Sequence, residues 1–322
     1  MNIIFFGSGK FAVPSLKALV ASGYNISCVV TQPDRRKGRG LHMEATAAKA
    51  AAAEYGLKLY QPERINTPQA IKFLEQFKAQ VFVVISYGQI LSEEVLKLPE
   101  IFAINAHASL LPKYRGASPI NWAMIKGEKI TGVSIIKMDV KMDAGAVILH
   151  DSLPIEEEDT SLSLEERLSL VAARLVVESL ALVANNKYKL TPQDQRQMSL
   201  APKLKKENGL IDWKMDAEEI NNLVRGSLAW PGAFTYYKGK LLKVFKSRVT
   251  RLASHQITSD AVGRIINIAP EAIRVSCGKD FLDILELQME GKRRMPAAEF
   301  IAGHKIRVGE AFEKKSCTKK LI

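Results

Sequence analysis

Cysteine is scarce in this chain. Its 322 residues include three, Cys28, Cys277 and Cys317. A scattered, odd-numbered set offers neither a disulfide framework nor a thiolate metal spacing, and it fits a reducing compartment. No apolar run is long enough for a membrane span. The opening, Met1 to Phe6, is too short and too weakly basic for a signal peptide. There is no internal repeat and no low-complexity tract. The expectation is a cytoplasmic globular protein without a metal. Acidic residues are also in deficit: 34 Asp and Glu face 46 Lys and Arg, leaving a net charge of +12. That balance points to a polyanionic partner. Apolar content is ordinary at 47%, enough for a full core. The length suits two domains.

The first half alternates strand and helix patterns. Asn2-Ile-Ile-Phe-Phe6 reads as a buried parallel strand, Gly7-Ser-Gly9 as a tight turn, Phe11 to Val20 as a helix and Tyr24 to Thr31 as the next strand. This is the opening of a doubly wound, Rossmann-like, mostly parallel sheet. Gly7-x-Gly9-x-x-Ala12 also fits a loose dinucleotide fingerprint with Asp34 as its acid, but Asp34 heads a basic loop rather than tipping the strand. Glu44 to Tyr55 reads as a helix, Thr67-Pro68 as a helix start and Val81 to Ile85 as a buried strand. Gly132 to Lys137 is a strand, Val147 to His150 an edge strand, and Leu162 to about Asn185 a long amphipathic helix. The first domain is expected over residues 1–188. A polar linker follows at 189–206, and a second domain runs over 207–322. That second domain opens with a strand at Ile211-Asp-Trp213 and a short helix. Five or more short strands follow, suggesting a small OB-like β-barrel.

The chemistry concentrates in Asn105-Ala-His-Ala-Ser-Leu-Leu-Pro-Lys-Tyr-Arg-Gly-Ala-Ser-Pro119. Asn105 and His107 end a strand and lie two residues apart, so both side chains point the same way. An amide and an imidazole in one crevice can hold an oxyanion, and the imidazole can move a proton. Lys141-Met-Asp-Ala-Gly-Ala146 follows the next strand, and Asp143 is expected to reach the same crevice. A lone Asn-x-His is otherwise a common structural pair. Ser109 stands where the His-x-Glu signature of zinc deaminases requires Glu. Between Gln32 and Leu41, the cations Arg35, Arg36, Lys37 and Arg39 lie among two glycines. The run reads either as a solvated loop or as a flexible grip for phosphates. Lys203, Lys205 and Lys206 pose the same choice.

These motifs resemble those of the formyltetrahydrofolate-dependent formyltransferases. The likeness runs from Phe6-Gly-Ser-Gly-Lys-Phe-Ala-Val-Pro-Ser15 and Thr31-Gln-Pro-Asp-Arg35 through the core to Ile211-Asp-Trp213 and Trp230-Pro-Gly-Ala233. It closes with Gly291-Lys-Arg-Arg-Met295 and Gly303-His304. The resemblance implies a formyl transfer from 10-formyltetrahydrofolate to the methionine amine of initiator methionyl-tRNA, through a tetrahedral intermediate and without a metal. Asn105 and His107 would then stabilise the oxyanion. Asp143 would support the imidazolium and steer the proton leaving the attacking amine, directly or through water. The folate would lie against Ser109, Leu110, Leu111 and Pro112 and against the loop Ser86, Tyr87, Gly88, Gln89, Ile90 and Leu91. The barrel would contact tRNA, and a monomer is expected. Two alternatives stand beside this reading. One is a relative sharing only the catalytic half, such as an amino-sugar or glycinamide ribonucleotide formyltransferase or a formyltetrahydrofolate hydrolase. The other is a non-catalytic RNA-binding module.

Overall fold

The computed structural model describes residues 1–37, 42–251 and 261–313. Arg39 and Cys317, both singled out from the sequence, lie outside them. The chain divides into two compact units. One comprises Met1–Pro119, Ile130–Pro154 and Ser163–Pro202. The other comprises Ile120–Lys129, Ile155–Leu162 and the described residues from Lys203 onward.

The first unit opens with strand β1 (Asn2–Gly7), whose Ile3, Ile4, Phe5 and Phe6 are all fully buried. Each such side chain contributes about 1.5–3 kcal/mol by leaving water. Helix α1 (Val13–Ala21) carries Pro14 in its first turn, and β2 (Asn25–Val30) follows. Strands β3 (Arg35–Lys37) and β4 (His42–Glu44) form an antiparallel ribbon, with Arg36 opposite Met43. Three short helices then start on hydroxyl caps, which satisfy otherwise orphaned backbone N–H groups. Thr46 caps α2 (Ala47–Glu54), Thr67 caps α3 (Pro68–Glu75) and Ser92 caps α4 (Glu93–Leu96). Strand β5 (Leu59–Tyr60) precedes α3, and β6 (Val81–Ile85) precedes α4. After α4 come β7 (Phe102–His107), α5 (Pro119–Ile125), which from Ile120 onward belongs to the second unit, β8 (Ile130–Lys137), β9 (Val147–Pro154) and α6 (Ser161–Ala184), which joins the first unit from Ser163.

The strands order as β5-β2-β1-β6-β7-β8-β9. The first five run parallel, and β8 and β9 are antiparallel, with β9 at the edge as its weak alternation suggests. The chain winds outward from β1 to β2 and β5, then returns to the other side of β1 at β6. That reversal opens a crevice beyond the strands' C-terminal ends. Gly7, Ile85 and His107 end the strands on that side. The residues after α6 stay with this unit. Thr191 exchanges backbone hydrogen bonds with Val147 at 2.8 and 2.9 Å, and Ala201 N–H donates to Arg115 O at 2.7 Å. Of the stretch 189–206, the part up to Pro202 therefore packs with the first unit and the rest with the second.

The second unit has α7 (Ala217–Gly226) and an antiparallel sheet. The strands are β10 (Ala233–Tyr237), β11 (Lys240–Thr250), β12 (Ile265–Ala269), β13 (Ala272–Ser276), β14 (Phe281–Met289) and β15 (Met295–Pro296). They order as β10-β11-β14-β13-β12, with β15 paired to β14, and α8 (Ala297–Gly303) follows. The strand expected at Ile211-Asp-Trp213 does not form. Asp212 draws the chain into a turn instead: its side chain accepts from Lys214 N–H at 3.2 Å and its carbonyl from Met215 N–H at 3.0 Å. Trp213 is still buried, with its indole N–H on Thr235 Oγ1 at 3.1 Å and its ring stacked on Phe312. Among the described residues no helix is long and apolar enough to cross a membrane.

Candidate active site

Asn105 and His107 close β7, a central strand pairing with β6 on one side and β8 on the other. Their side chains share one face of the sheet, as the period of two requires. His107 is 6% exposed. Its Nε2 lies 2.9 Å from the carbonyl oxygen of Tyr114. A carbonyl only accepts, so Nε2 carries a hydrogen and donates it. That fixes the other nitrogen, Nδ1, as the one facing Asp143 Oδ1, at 3.6 Å. Asn105 Nδ2 donates toward the same oxygen at 3.4 Å. The amide contact sits at the long edge of hydrogen bonding and the ring contact lies just beyond it, and such contacts can tighten when substrate binds. The ring–carboxylate pair is attractive when Nδ1 is protonated as well, which gives the imidazolium.

Asp143 is held by its other oxygen: Gly116 N–H donates to Oδ2 at 2.9 Å. Oδ2 is the anchor, and Oδ1 faces the amide and the imidazole. Asp143 lies in the loop between β8 and β9 with φ of 50°, a left-handed conformation costing about 1 kcal/mol or more for a side chain other than Gly. Two glycines permit this geometry. A Cβ on Gly145 would stand 1.8 Å from Lys137 O. Gly116 has φ of 124°, and a Cβ there would stand 2.6 Å from Ala201 O. The structure thus brings together Asn105, His107 and Asp143, named from sequence. It adds Tyr114, Gly116 and Gln193, which sequence reasoning did not select. Gln193 donates to the backbone of the Asp143 loop.

The turn after β7 is built by serines. Ser109 is buried, and its hydroxyl donates to Lys113 O at 2.6 Å, so it shapes the turn from within. Ser134 accepts from Leu111 N–H and donates to Ser109 O. Leu110, Leu111 and Pro112 are half-buried. The loop after β6 bends through positive φ at Ser86 (47°) and Gly88 (90°). It is pinned on several sides. Ser8 donates to Tyr87 O, Gln89 accepts from Ile65 N–H, and Asn66 donates to Ile90 O. Tyr87 and Leu91 are buried, whereas Ile90 is 66% exposed.

Asp34 is engaged by Lys49 at 2.6 Å and Gln61 at 2.9 Å. The Lys49 hydrogen bond, followed by that of Gln61, holds its carboxyl below the ordinary value. A ribose-binding role for Asp34, as in the dinucleotide alternative, would have to break these bonds. Arg35 is exposed, and Arg36 and Lys37 follow it on β3. Lys203, Lys205 and Lys206 are exposed in the second unit. Among the described residues no group of three His, Cys, Asp or Glu side chains is placed to hold a metal ion. Burial pushes the Cys28 and Cys277 thiols up to about 12, so both are inert core residues.

A sheet-reversal crevice with an amide, an imidazole and a carboxylate at its rim can stabilise an oxyanion and move a proton. Residues 1–180 match the formyl transferase family model and residues 203–305 match that of the formyl transferase C-terminal domain, which makes the chain a formyl transferase. It is 43% identical over 310 residues to the methionyl-tRNA formyltransferase of Caldanaerobacter subterraneus subsp. tengcongensis, covering 96% of this chain and 99% of that one. It is 44% identical over 309 residues to the methionyl-tRNA formyltransferase of Thermodesulfovibrio yellowstonii, covering 96% and 97%. The chain belongs to the methionyl-tRNA formyltransferase family. Its fold is also that of an N-formyltransferase from Helicobacter canadensis solved with folinic acid and dTDP-3-aminofucose. That match has a TM-score of 0.64 at 19% identity over 89% of this chain and 98% of that one.

Proposed function

We propose that the chain transfers the formyl group of 10-formyltetrahydrofolate to the methionine amine of initiator methionyl-tRNA, for translation initiation in the cytoplasm. The observation that carries this reading is the convergence of Asn105 Nδ2 and His107 Nδ1 on one oxygen of Asp143, whose other oxygen is anchored. The amine nitrogen attacks the formyl carbon. Negative charge gathers on the formyl oxygen, which receives hydrogen bonds from Asn105 Nδ2 and, with the ring protonated as imidazolium, from His107 Nδ1. One such preorganised donor is worth roughly 100- to 1,000-fold in rate. The attacking amine's surplus proton passes to Asp143 Oδ1, directly or through one water. The proton held on Asp143 is then delivered to N10 as the bond from carbon to N10 breaks, leaving tetrahydrofolate, formylated tRNA and an ionised Asp143.

The folate lies against Leu110, Leu111 and Pro112, in the turn that Ser109 shapes, and along the pinned loop Ser86 to Leu91. Arg35, Arg36, Lys37 and Arg39, with Lys203, Lys205 and Lys206, meet tRNA phosphates, and the second unit is given over to tRNA. One copy supplies all three proposed catalytic side chains, which supports action as a monomer. The test is formylation of methionyl-tRNA by purified protein with 10-formyltetrahydrofolate. Transfer to an amino sugar or a glycinamide nucleotide, but not to the tRNA, would replace this reading.

A further inference from the structure

Asp143 needs more than Gly116 to stay in place. Its loop is irregular, its φ is left-handed, and its carboxylate makes only long contacts to the two groups it serves. The side chain of Gln193 also holds the loop. Its amide Nε2 has two hydrogens, and both are used: one on Asp143 O at 2.8 Å, the other on Gly145 O at 2.7 Å. Its Oε1 accepts twice from one guanidinium, Arg115 Nε at 3.0 Å and Arg115 Nη2 at 2.6 Å. The hydrogen-bonding capacity of the Gln193 amide is therefore filled. Arg115 Nη1 reaches Gln195 Oε1 at 3.1 Å. Arg115 and Gln193 are each 8% exposed.

The connection then closes on itself. Arg115 is followed in sequence by Gly116, whose N–H binds Asp143 Oδ2. Arg115's own N–H and C=O pair with Ser199 O and Ala201 N. The backbone of Asp143 is tied to Gln193, Gln193 to Arg115, and the residue after Arg115 to the carboxylate of Asp143. We infer that Gln193 and Arg115 are positioning residues that set where Asp143 Oδ1 stands relative to His107 and Asn105. The inference rests on the reaction proposed above for its kinetic consequence but on hydrogen bonding alone for its structural one. A buried, fully bonded network of this kind is costly to break at one member, because the partners left behind are unsatisfied.

Two variants test it in the full-length protein. Gln193→Met keeps the length of the side chain and removes all four bonds. Gln193→Glu keeps an acceptor for Arg115 but cannot donate to the two carbonyls. Both should lower kcat about 10- to 100-fold with KM for folate unchanged, the scale expected for a misplacement of about 1 Å. A merely structural role would not produce two further results. In the Asp143→Asn background, Gln193→Met should add little further loss, because the two act through one group. Hydrogen exchange of the peptide spanning 138–146 should quicken in both variants while exchange of β1 and β6 is unchanged. The exchange readout needs no turnover, so failure of wild-type protein to formylate tRNA would overturn the proposed reaction and leave this inference to be judged by exchange. Unchanged exchange over 138–146 in both variants would overturn the inference. So would losses that multiply fully with Asp143→Asn.

Discussion

Asp143 Oδ1 lies 3.6 Å from His107 Nδ1, while His107 Nε2 is committed to the carbonyl of Tyr114 at 2.9 Å. The ring is therefore oriented before any substrate arrives, with Nδ1 turned toward the reacting side. Asn105 Nδ2 faces the same carboxylate oxygen from 3.4 Å.

Removing either donor should slow the chemical step. Asn105→Ala and His107→Ala are each expected to lower kcat at least about 100-fold, because the lost bond acts mainly in the transition state. Folate affinity, followed by equilibrium fluorescence, should stay within a few-fold of wild type. Near-normal turnover in either variant would remove that residue from the proposed mechanism.

The Tyr114 carbonyl fixes a tautomer. In 15N-edited NMR the neutral His107 ring should be protonated on Nε2, and Asp143→Asn should leave that assignment in place, since Tyr114 is untouched. The same variant should lose turnover about 100-fold or more, having lost the proposed proton acceptor. A neutral ring protonated on Nδ1 would contradict the orientation described here.

Arg39 stands between Gly38 and Gly40, outside the described residues, and its assignment to tRNA comes from sequence. If it meets one phosphate, Arg39→Ala removes about one counterion from the binding equilibrium and lowers the salt slope by roughly 0.7 to 0.9. KM for charged tRNA should rise and folate affinity should not move. Steady-state formylation at several salt concentrations decides this. An unchanged slope would mark the run as solvated charge.

In the second unit, Asp283 is 1% exposed and hydrogen-bonds Arg274, Thr250 and Arg248. Burial pushes its carboxyl up. The hydrogen bonds of Arg274 and Thr250 and the charge of Arg274 outweigh that and hold it below the ordinary carboxylate value. The folded value is depressed, so its contribution is fully present above the unfolded value of about 4 and fades as pH falls through the folded one. Asp283→Asn should cost about 3 kcal/mol at pH 7, the scale for breaking a buried pair. The gap from wild type should shrink below about pH 4. Urea titrations at pH 7 and pH 3 measure both, and an equal gap at the two values would exclude the ion pair as its source.

Much of the fold is legible in local patterns. The all-apolar runs at β1 and β6 announce buried parallel strands, and Thr67-Pro68 announces a helix start, because these signals act within a few residues; α2, expected from Glu44, begins only after its cap at Thr46. Asn105 and His107 were legible for the same reason, as the period of a strand places both on one face. The Ile211–Trp213 strand failed because Asp212, a single turn-forming side chain, outweighed the two apolar residues beside it. Gln193 was not legible at all. It lies 50 residues beyond Asp143 in a polar stretch read as a linker, and nothing near it hints that its amide meets two carbonyls of another loop. Gly116 left only the trace of a glycine in a crowded turn. That its N–H would meet Asp143 depends on tertiary packing.

The central claim is that the side chains converging on Asp143 carry formyl transfer to charged initiator tRNA. The most direct measurement is a single-turnover assay following a labelled formyl group from 10-formyltetrahydrofolate to methionyl-tRNA, with wild type beside Asn105→Ala, His107→Ala and Asp143→Asn. We predict label in the methionine amide for wild type and a transfer rate at least about 100-fold lower in each variant at saturating substrates. Transfer at the wild-type rate in all three variants, or no label on tRNA with wild type, would contradict it.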